Sequence, residues 1–244
     1  VINVAKRLVP QIEAAPGAPE GCAEVVSEKF FTENVTNQDM ILCRLTAPLV
    51  AMAFWLIRGG KRAKVKGRDI GAALRKVIDE VESLKNSSWE TFDTFLEQWR
   101  ANQLRVAQNR ADAEMLTISI NDKADSVLAV WDGALRAGAV SIAELRAHLE
   151  DLFSDDERGV ILLSTIHRAK GLEAETVYLL APEKLPHPMA KSPDAVQQES
   201  NLAYVAITRA MRRFYVVETP GRPLTSFWNA LLNPQKELDL EVTK

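Results

Sequence analysis

Two short stretches of this chain concentrate side chains able to do chemistry. The first is Ser164-Thr165-Ile166-His167-Arg168-Ala169-Lys170-Gly171-Leu172-Glu173, which places two hydroxyls, an imidazole, two cations, a glycine and a carboxylate within ten residues. Hydroxyls and backbone amides hold phosphate oxygens, and a glycine lets a partner approach the backbone closely. The same composition also suits an ordinary polar loop. The second stretch runs Glu199-Ser200-Asn201-Leu202-Ala203-Tyr204-Val205-Ala206-Ile207-Thr208-Arg209-Ala210-Met211. Wound as a helix, its apolar residues occupy most directions, and Arg209 falls between Val205 and Leu202. A guanidinium in that sector is costly unless it meets an anion. Two anions would serve. One is a carboxylate at the edge of the core, giving a structural ion pair. The other is a phosphate across an interface, where an arginine finger stabilises the charge that develops in phosphoryl transfer.

What is absent narrows the chemistry. No segment fits G-x-x-x-x-G-K-[ST], and Gly59-Gly60-Lys61 and Lys66-Gly67 have the wrong spacing. The chain by itself is not expected to hold a triphosphate in the P-loop manner. His148, His167 and His187 are too scattered for a metal site and suit surface or loop positions. Arg58, Lys61, Arg62, Lys64, Lys66 and Arg68 form a run of cations without an acid between them. Such a run reads as a solvated hairpin or as a patch that neutralises phosphates.

The elements around these stretches alternate. Apolar residues at helical spacing indicate a helix over 1–15, closed by Ala15-Pro16-Gly17-Ala18-Pro19. Strands are expected at 24–31, 39–44 and 63–66, with a helix over 48–57 between the last two. Residues 73–157 read as wholly helical. Leu74, Val77, Ile78, Val81 and Leu84 make one stripe, and the patterns Ser87 to Glu90 and Ser141 to Glu144 look like capping boxes. The aromatic residues there are spaced as core, not as a base-stacking platform. Strands return at 160–163, 176–180 and 213–217, with a proline-containing loop and a helix over 197–211 before the last. Strands and helices in this order build a parallel α/β sheet, and in open parallel sheets ligands sit beyond the carboxyl ends of the strands. The first reactive stretch follows such a strand directly.

Bulk properties exclude other classes. The chain has 244 residues, 47% of them hydrophobic and 26% charged, and its formal net charge is −3. A slightly acidic chain does not coat nucleic acid by global charge, so any DNA contact depends on local basic groups. The apolar run 49–57 is about half of what a membrane span needs. Cys22 and Cys43 make no disulfide framework and suit a reducing cytoplasm. The start at Val1, without a signal peptide and directly in an apolar-periodic segment, reads as a fragment of a longer protein.

Taken together, the two reactive stretches resemble the superfamily 1 DNA helicases of the UvrD/Rep family. Thr165-Ile166-His167-Arg168-Ala169-Lys170-Gly171-Leu172-Glu173 resembles motif V of that family. Gln198-Glu199 through Tyr204-Val205-Ala206-Ile207-Thr208-Arg209-Ala210 resembles motif VI. Ile41-Leu42-Cys43-Arg44 followed by Pro48-Leu49 resembles a weaker upstream segment, although Leu45 and Thr46 stand where the family usually has a small polar residue and Asn. Ala174 stands where many relatives carry an aromatic or large apolar residue. Val1 falls just after the family's motif IV.

The resemblance implies a RecA-like parallel sheet flanked by helices, a P-loop NTPase-like fold without its P-loop, interrupted by an all-helical insertion. Its parts would be residues 1–72 and 158–232 for the second motor domain, 73–157 for the insertion, and 233–244 for a polar tail. It implies Arg209 as the catalytic finger toward the γ-phosphate of ATP, with Gly171, Glu173 and Tyr204 on the nucleotide side. Thr165, His167, Arg44 and Lys170 would serve DNA, Lys170 also suiting a phosphate or carboxylate. ATP and Mg2+ would be held mainly by an N-terminal RecA-like domain of the same protein. Single-stranded DNA would be the track, with a nuclease or a replication or repair protein as a further partner. The setting would be cytoplasmic, at the nucleoid or in viral replication. The competing reading is a non-catalytic helicase-like module that binds DNA or scaffolds a nuclease.

Overall fold

The computed structural model describes residues 1–154 and 159–233, so the expected tail from 234 onward lies outside the described residues. Six strands form a sheet: β1 (Cys22–Val26), β2 (Met40–Cys43), β3 (Ala63–Val65), β4 (Ile161–Thr165), β5 (Ala174–Leu179) and β6 (Ala210–Val217). Their order is β1-β6-β5-β2-β4-β3. The pairs β1 with β6, β6 with β5, β5 with β2 and β3 with β4 are parallel. The expected α/β class with a parallel sheet and flanking helices is the one observed. By its internal contacts the chain divides into two compact units, Val1–Arg44 with the residues from Ser164 onward, and Leu45–Leu163.

In the first unit, side-chain alternation along the strands assigns two faces. On one face Val177, Leu179, Phe214 and Val216 join three helices in a single buried cluster. These are α1 (Ile2–Ala5), α8 (Pro193–Thr208) and α9 (Ser226–Leu232), which contribute Val4, Ala206 and Trp228 among others. On the other face Phe31 of α2 (Glu28–Asn34) meets Tyr178 edge-on, with ring centroids 5.0 Å apart, and Phe30 meets Tyr215 at 5.5 Å.

Three boundaries here differ from the sequence expectation. Helix α1 stops at Ala5 instead of running to residue 15. The Arg7 and Leu8 amides already bond three residues back, and Pro10 then bars any return to helix, since it has no amide to donate and turns Val9 away from helical backbone. The strand expected over 24–31 is β1 followed by α2. Ser27 adopts extended backbone and its hydroxyl accepts from the Phe30 amide at 3.1 Å, which caps a helix where a longer strand was expected. Helix α8 begins earlier than 197. The Ser192 hydroxyl accepts from the Ala195 amide at 3.2 Å, and Pro193 stands at the first turn, where no amide is needed.

The second unit holds α3 (Thr46–Arg58), α4 (Arg68–Glu82), α5 (Phe92–Ala107), α6 (Ala113–Arg136) and α7 (Ile142–Leu152). Leu74, Val77, Ile78 and Val81 of α4 are buried as their spacing requires. Helix α6 is central and touches α3, α4, α5 and α7. Two features fix its long contact with α3. A Cβ at Gly133 would lie 2.4 Å from the Phe54 ring, so only glycine fits there. Further along, the Asp122 carboxylate accepts from the amides of Thr46 (2.8 Å) and Ala47 (3.0 Å) and so caps α3 from a neighbouring helix. Burial pushes the Asp122 carboxyl above the ordinary aspartate range, and the two amides pull it back.

The capping box before α5 is Ser88 with Thr91 rather than Ser87 with Glu90, whose carboxylate accepts from the Ser88 hydroxyl instead. Ser141 does cap α7 through the Glu144 amide. The run of cations is largely engaged. Lys64 pairs with Asp151 at 2.6 Å, and Lys61, Arg62, Lys66 and Arg68 each carry an interaction.

Candidate functional site

The first reactive stretch begins on β4 and leaves it in a turn. Thr165, the last residue of β4, is buried, and its carbonyl accepts from the amides of Arg168 and Ala169, both at 3.0 Å. The Ile166 amide donates to the Cys43 carbonyl at the end of β2, also at 3.0 Å. Ile166 and Ala169 point into the core, while His167, Arg168, Lys170, Gly171 and Glu173 are exposed. The alternation of apolar and polar residues therefore anchors the turn and presents its chemistry outward. Gly171 has φ +87°, a region that side chains rarely adopt, and nothing stands within 4 Å of where its Cβ would be. The space beside that backbone is open to an approaching group.

Helix α8 supplies the second stretch. Arg209 is its C-cap. The guanidinium donates to the Leu172 carbonyl at 3.0 Å, the Val205 carbonyl at 3.2 Å and the Thr208 hydroxyl at 3.1 Å. That hydroxyl in turn donates to the Tyr204 and Val205 carbonyls. Of the two anions left open by the sequence, a carboxylate of its own unit is not the one found: among the described residues no acid pairs with Arg209. Backbone dipoles orient the cation without neutralising it, and they leave donors of its fork unused.

Arg209, Tyr204, Glu173 and Lys170 line one cleft of about 900 Å³ in the first unit. Lys6 lines it too, a cation that no local pattern singles out, because its distance along the chain from Arg209 hides the closeness. Gly171 stands between Lys170 and the carbonyl of Leu172 that holds Arg209. The three cationic side chains and the aromatic residue suit a polyphosphate, with the Glu173 and Glu20 carboxylates also on the wall. They do not fit a metal ion, since no group of three or more His, Cys, Asp or Glu able to hold one occurs among the described residues.

The remaining residues singled out in the sequence gather elsewhere. Arg44 follows β2, and its guanidinium grips the Glu199 carboxylate of α8 in a two-pronged pair at 2.8, 2.9 and 3.0 Å. The side chains are only 15% and 6% exposed, so the pair is desolvated. Glu199 also accepts from the His187 amide at 3.0 Å. His167 stands beside this pair. Partial burial pushes its imidazole below the ordinary histidine pKa, the Arg44 guanidinium pushes the same way, and Glu199 pulls it back. Arg44, expected to serve DNA, thus has a carboxylate for its immediate partner. Glu199 and His187 were not singled out as site residues, and no local pattern marks a partner so far along the chain.

Residues 71–220 match the model of the UvrD-like helicase C-terminal domain family. The chain is similar to the ATP-dependent DNA helicase PcrA of Bacillus subtilis, 31% identical over 157 residues, which are 61% of this chain and 20% of that protein. It is also similar to the ATP-dependent DNA helicase UvrD1 of Mycobacterium leprae, 36% identical over 95 residues, 38% of this chain and 12% of the relative. With the ATP-dependent DNA helicase Rep of Salmonella typhimurium it shares 40% identity over 70 residues, 28% and 10% respectively. The chain therefore spans a fifth or less of the length of the relatives it matches.

Proposed function

Because the chain belongs to the UvrD-like helicase C-terminal domain family, we propose that it is the second half of an ATP-dependent motor that moves on single-stranded DNA. Residues 1–72 and 158–232 make the second RecA-like domain and 73–157 its helical insertion. An N-terminal RecA-like domain of the same protein holds the nucleotide and Mg2+ on the far side of the cleft, and a nuclease or a replication or repair protein completes the assembly. The place of work is the cytoplasm. No described helix is long and apolar enough to cross a membrane.

The observation that carries this reading is the company of Arg209: a part-buried cation held by carbonyls at the wall of a cleft, with no carboxylate partner among the described residues. Closure of the two domains brings this guanidinium to the γ-phosphate, where it stabilises the charge that builds on the equatorial oxygens during transfer to water. The phosphoryl group comes from ATP. Tyr204 and Glu173 support the nucleotide, Gly171 gives it backbone access, and Lys170 and Lys6 add positive field. His167 and Thr165 lie on the side that meets DNA, Arg44 beside them. Reopening after hydrolysis shifts the grip along the strand.

The test is ATP hydrolysis by the protein carrying both halves, measured with and without oligo(dT). Hydrolysis that DNA stimulates and that needs Arg209 is expected. Binding of oligo(dT) without any hydrolysis would favour the non-catalytic DNA-binding or nuclease-scaffold module instead.

A further inference from the structure

Helix α8 is tied at its C-terminal end to the polar turn after β4, and at its middle to the residue that follows β2. At its C-terminal end Arg209 donates to the Leu172 carbonyl at 3.0 Å. At the middle of the helix Glu199 is clamped by Arg44 at 2.8–3.0 Å. Arg44 is held in register with the start of the turn, because the residue before it, Cys43, accepts from the amide of Ile166, the residue before His167. Ten residues of α-helix, about 15 Å, separate the two ties. A helix is stiff over that length, so a displacement at one end is felt at the other.

The chemistry of the Arg44–Glu199 tie suits transmission. A fork-to-carboxylate pair fixes angle as well as distance, unlike a lysine contact. Its burial removes the water that would let it slacken. Such a pair is weak evidence for stability, since desolvation offsets much of the attraction. Its geometric definition is the larger asset. The Ile166–Cys43 bond brings His167 into register with this pair, whose charges act on its imidazole in opposite directions.

We propose that the Arg44–Glu199 pair is a positioning link that transmits occupancy of the His167 side of the turn through α8 to the guanidinium of Arg209. This rests on the motor reading, in which His167 meets single-stranded DNA. Glu199 touches neither DNA nor nucleotide and acts through the helix it belongs to. Filling the His167 side shifts Arg44, Arg44 carries Glu199 with it, and α8 turns or slides so that Arg209 is re-aimed within its cleft.

The experiment is an NMR titration of this chain with oligo(dT), following the His167 imidazole and the Arg209 Nε–H together. In the unaltered chain both signals move, the first by contact and the second at a distance. In Glu199→Gln, which keeps the shape and removes the charge, the His167 signal still moves and the Arg209 response is lost. Glu199→Asp, which keeps the charge and shortens the arm, loses it as well, and serves if Glu199→Gln fails to fold. An Arg209 response that survives intact in a folded variant overturns the link while leaving the motor reading in place. A His167 signal that saturating oligo(dT) leaves unmoved in the unaltered chain overturns the DNA-side assignment, and the link with it.

Discussion

Arg44 and Arg209 belong to the same unit and both serve helix α8, yet their guanidinium groups keep opposite company. Arg44 meets a buried carboxylate in a two-pronged pair, and both charges are cancelled inside the protein. Arg209 meets two carbonyls and a hydroxyl, which aim it and leave its charge standing. The first arrangement fixes structure. The second leaves the charge without a counter-anion among the described residues, which suits the finger proposed for phosphoryl transfer. Partner type, more than burial or helix position, separates the two roles.

The contrast can be broken most sharply at Arg209. In the protein with both halves, Arg209→Ala should lower ATP turnover by roughly 10³–10⁵ while thermal unfolding stays nearly unchanged. Arg209→Lys keeps the charge but not the fork and should recover only part of that loss. A mutant with near-normal turnover would return Arg209 to a structural role and erase the difference from Arg44.

Glu199→Ala attacks the other side. It strands Arg44 in a desolvated site and should cost about 3–5 kcal/mol in urea unfolding. Replacing both partners by apolar residues of similar size should restore most of that stability, since the pair's desolvation is then avoided. If the single variant were as stable as the parent, the pair would have to be solvated in solution, and the contrast with Arg209 would shrink.

A smaller effect is expected at the cap of α3. Asp122→Ala leaves the Thr46 and Ala47 amides without their acceptor and should cost about 1 kcal/mol, with Asp122→Asn costing less. The carboxyl is raised above its ordinary value in the folded chain, so the folded state keeps a proton that the unfolded state has released. Its contribution is therefore full below the ordinary aspartate pKa and falls as pH rises through the raised value. Urea midpoints of Asp122→Asn and the parent across that interval would show the difference, and parallel curves would contradict the assignment.

The smallest effect belongs to His167. Its folded pKa lies below the ordinary histidine value, so the neutral ring's contribution is full above that ordinary value and is lost as pH falls through the lowered one. Removing the Arg44 guanidinium should raise the His167 pKa in an NMR titration, while Glu199→Gln should lower it further. Shifts of the opposite sign would mean that the pair does not face the ring.

Much of this could be read before any coordinates. The apolar runs of β2, β4 and β5 and the polar turn after β4 carry local signals, and the motif spacing located Arg209 without contact information. The boundaries that shifted turned on single residues outweighed by the wider pattern: Pro10 barring a longer α1, Ser27 capping α2, Ser192 with Pro193 starting α8. The partners were not readable at all. Glu199 stands 155 positions from Arg44, and Lys6 is remote in sequence from the cleft it lines. Periodicity reports which face of an element is buried, but not what waits on the other side.

Two of the contacts between α3 and α6 have a mechanical consequence. Asp122 grips the leading end of α3, and Gly133, eleven positions further along α6, lets the Phe54 ring sit flush against the helix backbone. Anchored at points about 16 Å apart along one helix, α3 is barred both from sliding and from swivelling on α6. The two helices behave as a single spar, and a force applied to either one is delivered by both.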